Sequence, residues 1–553
     1  MRSTRMAAAL SLTAATVFAQ QPPPARLPQF SESVEVRVLN LDVDVTDAKG
    51  NPVTDLKRED FTLKIGGKPV AIDYFTLVND GTIHAPDIAT APAERVLEIY
   101  KKGEEAYVPR NFLVFVDLGY LPPGLRNYSL NAIRDLAGRL GPNDAMRVVV
   151  FNRLPAVLVD WTTSKEVVLT ALTDLERQGV GMSRLQMQTQ TLAQIDSIGL
   201  NRRGVSSRLQ LARQYGSEVG MEIENLIQSM QAELVTLTPL SGKKAFLYIS
   251  GGFEYQPGWV MAQYAGGSIT SSGLVNLNVR DVPTRLTAMI QKANADQITF
   301  YTVDATGLTA EGTPASEGSP STNVLAIEQR PNLTFQARQD RQNGMQQMAT
   351  ETGGVALMNT NDFQGGLSRI YQQVSTYYTL GVTLSKLGLT GYQKVDVTVN
   401  RPGVTVRARK GFEPLSEAQR VETRARATME TDLSYNAIPA KIELAPATLD
   451  KKYYVLPLTV LVPADALTFV PQGDKEVANA EFYIGSVDDK GNASDLSRQT
   501  TSFAIPAGKA KAGAMLRYTA QLQTKKGNYR IVVNVRDSSS GRMGTARTNV
   551  HVE

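Results

Sequence analysis

Apolar and polar positions follow two different periods along the chain, and the switches between them mark its parts. VEVRVLNLDVDVTD (34–47) alternates strictly, the period-two pattern of a half-buried strand. DAKGN (47–51) is a turn cluster, and FTLKIGGKPVAIDYFTLV (61–78) gives two strands around Gly66-Gly67. This N-terminal β unit, 34–78, holds too few strands to bury two sheets alone. Residues 79–108 are a polar connector with a short helical pattern at AERVLEIYKK.

From 109 the pattern changes. NFLVFVD is a continuous apolar run ending in Asp117, the mark of a strand covered on both faces. Amphipathic helices (LRNYSLNAIRDLAGRLG, SKEVVLTALTDLERQG, VPTRLTAMIQKANADQ) then alternate with apolar strands (AMRVVVFN, PAVLVDW, KKAFLYISGG, ITFYTVDATG, VALMN). Such alternation predicts a mostly parallel sheet with helices on both faces over 109–376. A long polar helical stretch, 183–240, reads as an insert decorating one face or forming a small subdomain. Period two returns at YYTLGVTLS and KVDVTVNRPGVTVRARKGF, so 377–413 is expected to complete the N-terminal β unit around the α/β part. Residues 415–436 read as a charged, helix-prone linker, and 437–553, with short strands between turn clusters, as an Ig-like sandwich.

Composition narrows the chemistry. The 553 residues include no cysteine and two histidines, His84 and His551. This excludes disulfides, thiolate nucleophiles and zinc ribbons, and argues against a Ser-His-Asp relay or a multi-His metal centre. The formal charge of +4 sets up little long-range field, and no Lys/Arg-rich block marks a nucleic-acid footprint. MRSTRMAAALSLTAATVFA (1–19) has the basic start, short apolar stretch and small-residue end of a secretory signal, followed by the linker 20–33. No later stretch is long and apolar enough to span a bilayer. The expectation is a mature protein that is secreted or periplasmic, with no membrane span.

Three segments carry a resemblance: VEVRVLNLDVDVTDAKGNPVTDLKREDFTL; NFLVFVD with the later ITFYTVDATGL; and TGGVALMNTNDFQGGLSRIYQQVSTYYTLGVTLS continuing to KVDVTVNRPGVTVRARKGF. Together they resemble the von Willebrand factor A-type domain, and more closely the VWFA-related family of secreted acidobacterial proteins, over roughly 34–415. The fold this implies is an α/β doubly wound, Rossmann-like A-type domain flanked by all-β sandwich domains.

The resemblance also implies a divalent-ion site at the C-terminal edge of the sheet, built from Asp-x-Ser-x-Ser after the first strand, a Thr from a second loop and an Asp after the fourth strand. Mg²⁺ takes about six hard oxygens at about 2.1 Å. Here the first motif reads Asp117-Leu118-Gly119-Tyr120-Leu121, so both serines are replaced, and the later Asp position falls near Gly251. The candidate ligands that remain are Asp117, Ser183 and Ser250, a poor set for Mg²⁺ or Ca²⁺, and no cofactor is expected. Asp117 and Asp304 also suit a plainer role, accepting free N–H groups at strand ends. Gly252–Tyr264 reads as an irregular aromatic loop at the same edge. The candidate partner-binding residues are Asp117, Phe253, Glu254, Tyr255, Trp259 and Asp304.

Other motifs lack context. Ser241-Gly242-Lys243-Lys244 matches Ser-x-x-Lys without its companion motifs, and Asp488-Asp489-Lys490-Gly491-Asn492 reads as a hairpin turn. The expectation is a secreted, non-enzymatic protein–protein interaction or adhesion protein that binds a protein partner at the loop edge without a functional metal. The alternatives are a structural envelope module self-associating through 183–240 and a carboxylate-based hydrolase.

Overall fold

In the computed structural model the described residues are 38–84, 107–177, 183–199, 201–238, 240, 242–266, 281–307, 324–384, 387–431, 434–506 and 514–553. The expected signal segment, the linker 20–33 and most of the connector 79–108 lie outside them. The chain divides into two units, 36–415 and one containing 416–553.

Five strands precede the α/β layer: β1 (Val38–Thr46), β2 (Phe61–Ile65), β3 (Lys68–Val70), β4 (Tyr74–Asn79) and β5 (Thr82–His84). The layer runs through β6 (Arg110–Asp117), α1 (Pro123–Gly138), β7 (Ala145–Asn152), β8 (Leu154–Thr162), α2 (Lys165–Arg177), α3 (Ser183–Asp196) and α4 (Arg202–Leu237). It continues with β9 (Lys243–Ser250), α5 (Trp259–Gly266), α6 (Val282–Ala295), β10 (Ile298–Asp304), α7 (Val324–Thr352), β11 (Ala356–Leu357) and α8 (Phe363–Ser375). After it come β12 (Tyr377–Thr383), β13 (Gln393–Val399), β14 (Thr405–Ala408) and β15 (Gly411–Phe412).

Strands from before and after the layer interleave. One sheet runs β14-β1-β12-β4-β5 and the other β15-β13-β2-β3, so β12 is inserted between β1 and β4. All these pairings are antiparallel. The alternation of β1 explains its place: Leu39, Leu41, Val43 and Val45 enter the core between the sheets with Leu63, Ile65, Leu380, Val382 and Val395. Asp42 and Asp44 fall on its other face, where the Lys243 Nζ donates to Asp42 Oδ2 at 2.7 Å.

The layer's sheet runs β11-β10-β9-β6-β7-β8, parallel except for the edge strand β8. β6 lies between β9 and β7, so the chain winds outward from β6 in one direction and returns through β9 in the other. The crevice at this reversal, beyond the C-terminal strand ends, is where such sheets hold ligands. α1, α2 and α8 cover one face through Leu130, Ile133, Leu136, Leu172, Leu367 and Ile370, while α4, α6 and α7 cover the other.

The stretch 183–240 is therefore a cover of the sheet. On α4 the buried residues Ala212, Tyr215, Val219, Ile223, Leu226 with Ile227, Met230, Leu234 and Leu237 follow one another at steps of three or four apart from the adjacent pair, one stripe of a 3.6-residue helix. Asn201 starts α4 by accepting the Gly204 N–H at 2.8 Å. Of the two expectations for 183–240, the position of α4 is that of an element lying on one face of the sheet.

The second unit opens with α9 (Glu417–Glu430), capped reciprocally by Ser416 and Gln419. Its strands are β16 (Lys441–Leu444), β17 (Thr448–Asp450), β18 (Tyr453–Pro463), β19 (Val470–Gln472), β20 (Lys475–Asp488), β21 (Ser497–Pro506), β22 (Met515–Thr524), β23 (Gly527–Asp537) and β24 (Met543–Val552). β16, β17 and β22 pair with β18, while β19, β20, β21, β23 and β24 form a second sheet; Leu456, Leu458, Val460, Phe482, Ile484, Val533 and Val535 share their core. Residues read as a linker thus form a helix, and its Val421 and Ala425 pack with Tyr483 and Met543. Among the described residues no helix is long and apolar enough to cross a membrane.

Candidate functional site

Register brings the strand ends together. Asp117 closes β6, Ser250 closes β9 and Asp304 closes β10; Asp117 and Ser250 are paired positions, as are Ser250 and Asp304. All three side chains are buried at the reversal in strand order.

Asp117 is 0 % exposed and fully engaged. Its Oδ2 accepts from the Tyr248 hydroxyl at 2.6 Å and the Ser250 hydroxyl at 2.8 Å. Its Oδ1 accepts from the Gly119 N–H at 3.1 Å and from the Arg184 guanidinium, with which it forms an ion pair. Arg184 is also 0 % exposed. Its Nε lies 3.4 Å from Glu222 Oε1, and its guanidinium carbon lies 5.3 Å from the centre of the Tyr120 ring. Burial alone would lower the Arg184 pKa, but Asp117, with Tyr248 and Glu222, raises it above the ordinary guanidinium value. The Tyr248 hydroxyl is raised well above its usual value, first by burial and then by Asp117, so it serves as a proton donor to that carboxylate.

The backbone fixes this arrangement. The Gly119 carbonyl accepts the N–H groups of Arg184 and Leu185, both at 3.1 Å, tying the loop after β6 to the start of α3. A Cβ at Gly119 would lie 1.9 Å from Arg184 Nε and 2.2 Å from its guanidinium carbon. The glycine at 119 and the arginine at 184 are therefore two sides of one packing solution.

The divalent ion implied by the A-type resemblance does not fit these residues. The Gly119 position is filled by the Arg184 guanidinium, and Leu121 is buried in the apolar core beside Leu118. A Cβ at Gly251 would lie 2.7 Å from the Tyr120 carbonyl oxygen, leaving no room for a carboxylate there. Ser183 donates to Glu222 Oε1 at 2.7 Å, and the neighbouring Arg184 reaches Asp117 instead. Among the described residues no group of three or more His, Cys, Asp or Glu side chains is placed to hold a metal. Residues 178–182, which precede Ser183, lie outside the described residues.

The other candidates fall into a floor and a rim. Phe253 is completely buried, its ring 6.2 Å from that of Tyr248, so it belongs to the core. Glu254 is buried too: its Oε1 accepts from the hydroxyls of Tyr120, at 2.9 Å, and Tyr215, while its Oε2 takes the Gly258 N–H at 2.7 Å. Asp304 accepts from the Thr306 N–H at 3.0 Å, the Thr306 hydroxyl at 2.5 Å and Gln342 Nε2 at 2.5 Å, with Arg338 at 3.7 Å. Tyr255 and Trp259 are half-buried and flank the exposed Gln256. The segment 252–264 is only partly irregular. Gly258 turns the chain, and the apolar run from Trp259 forms α5.

Sequence reasoning found Asp117 and Ser250 but missed Arg184, Tyr248, Tyr120, Tyr215 and Glu222. The nearby signal was Gly119 and Leu121, which offer no oxygen beside Asp117 and leave open which group of the chain meets that carboxylate.

No protein-family model matches the chain, and no curated protein matches it. Among solved structures, a von Willebrand factor type A protein from Catenulispora acidiphila is 9% identical, with 95% of this chain and 75% of that one covered and a TM-score of 0.22. Three N-terminal domains of the type V pili tip protein Mfa5 from Porphyromonas gingivalis are 8% identical, with 96% and 79% covered and a TM-score of 0.23. An aerotolerance-related membrane protein from Bacteroides fragilis is 12% identical, with 48% and 98% covered and a TM-score of 0.21. The architecture rests on the strand order and cores of this chain.

Proposed function

We propose that this is an exported, non-enzymatic interaction protein whose A-type-like layer binds a protein partner at the loop edge without a metal bridge. One contrast carries the reading. The carboxylates at that edge, Asp117, Glu254 and Asp304, are consumed by donors of their own chain, whereas the neighbouring Tyr255, Gln256 and Trp259 keep exposed surface. Saturated carboxylates offer neither a free general base nor open coordination positions, while aromatic rims beside polar groups are typical contact anchors. The α4 stripe is buried in the layer's own core and so is not a surface available to a second copy.

The test uses the mature protein as bait in envelope and medium fractions of the source cells, with EDTA throughout. The expected result is capture of a discrete partner that Trp259→Ala and Gln256→Arg abolish while both variants keep the wild-type melting temperature. Capture that needs added Mg²⁺ or Ca²⁺, or that both variants retain, would overturn the reading.

A further inference from the structure

We infer that the guanidinium of Arg184 is the resident cation of the loop edge, doing permanently what the divalent ion implied by the A-type resemblance would do reversibly. This deepens the functional reading above and rests on its account of the edge.

A cation at this place has three tasks: to neutralise the carboxylate at the end of the central strand, to hold the loop after that strand against the start of α3, and to keep both in one arrangement. Arg184 meets each of them. Its guanidinium pairs with Asp117, both fully buried. It occupies the space that any side chain at position 119 would need. Its backbone N–H and that of Leu185 bind the Gly119 carbonyl, so the cation and the loop it orders are joined to α3 through main chain as well.

Around the Asp117 pair the guanidinium is held by charge and ring contacts, since its Nε and Nη1 make no hydrogen bond of their own. Glu222 lies 3.4 Å from Nε as a second carboxylate, and the Tyr120 ring lies within cation–π range. The Ser250 hydroxyl, a candidate ligand, donates to Asp117 Oδ2, and its oxygen also accepts the Gly252 N–H at 2.9 Å. A metal ion entering here would have to expel a buried, paired guanidinium. The edge is therefore held in its cation-loaded arrangement at all divalent concentrations, and ion supply cannot regulate it.

The experiment uses the full mature chain, with MgCl₂, MnCl₂ and guanidinium chloride at millimolar concentration as probes. Wild type should show no calorimetric Mg²⁺ or Mn²⁺ binding and no change of melting temperature with any probe or with EDTA. Arg184→Ala should melt lower and recover by at least about 2 °C in millimolar guanidinium, far below denaturing levels, because the probe refills the vacated place and binds only the folded state. Arg184→Met, which fills the space with apolar atoms, should not respond.

If Arg184→Ala gives no soluble protein, Arg184→Lys and Arg184→Gln replace it. The lysine variant, which keeps a cation, should melt above the glutamine variant. One-site millimolar Mg²⁺ binding by wild type, a folded Arg184→Ala blind to guanidinium, or equal melting of the lysine and glutamine variants would each overturn the inference. None of these readouts involves a partner, so this inference and the partner-binding reading can fail separately.

Discussion

Asp117 and Asp44, two of the buried aspartates that face arginines in the 36–415 unit, are treated differently by the chain. At the C-terminal strand ends, Asp117 receives two hydroxyls, a backbone N–H and the Arg184 guanidinium. Near the N-terminal ends of β9 and β10, Asp44 on β1 is 8 % exposed, and neither of its carboxylate oxygens has a hydrogen-bond partner. Its closest cation, Arg407, stands 3.6 Å away, too far for a hydrogen bond. Burial accordingly raises the Asp44 pKa to about 6 from 3.8, with Arg407 and Lys243 opposing the shift. Removing a carboxylate from water is tolerated where donors converge on it and is costly where they do not. The convergence at Asp117 marks a built site, whereas Asp44 lies on the polar face of a strand whose other face fills the sandwich core.

The contrast breaks first at Arg184. Arg184→Met should destabilise the protein at pH 7 by about 3–5 kcal/mol, because it leaves Asp117 charged, buried and without its cation. Chemical denaturation measures this, and Asp117→Asn added to the same chain should restore part of the loss, with a coupling energy of about 1–3 kcal/mol. Strictly additive losses would mean that the two side chains do not act as a pair.

Gly119→Ala is the next largest test. Its new methyl would overlap the Arg184 guanidinium, so a loss of about 1–3 kcal/mol is expected, the usual cost of overpacking. The same substitution in an Arg184→Ala chain should cost much less, since the space is then vacant. Equal losses in both chains would show that the guanidinium does not press on position 119.

Asp44 should behave in the opposite sense. A carboxyl whose pKa is raised on folding contributes its stability below about pH 4 and loses it as pH rises through about 6. Asp44→Asn should therefore stabilise the protein at pH 7 by about 1–2 kcal/mol and flatten the pH dependence of unfolding between about 4 and 6. A variant that is destabilised at pH 7 with an unchanged pH profile would show that Arg407 and Lys243 more than offset burial.

Much of the architecture was legible from local pattern. The strict alternation of β1 and the apolar run of β6 fixed strand type because burial on one or two faces leaves a direct mark on composition. The stripe on α4 was harder to read: its buried residues are spaced through a long polar helix, and the neighbouring stretch of α3 has few buried positions. Within the candidate site, Asp117 and Ser250 were legible because strand-end positions follow from the strands themselves. Phe253 and Glu254 sit where the sequence placed them, beyond β9, yet they face inward, since burial of a loop residue depends on what packs above it.

By itself, then, the sequence determined the two periods, the order of strands and helices, the position of Asp117 at the end of an apolar run and the absence of thiol and multi-His chemistry. Tertiary structure alone decided which cation meets Asp117. Arg184 lies 67 positions away, and nothing local distinguishes it from other arginines that stay in water. Only the packing of α3 against the loop after β6 carries its guanidinium into the space left by Gly119, because long-range ion pairing depends on where chains cross and not on the sequence around either partner.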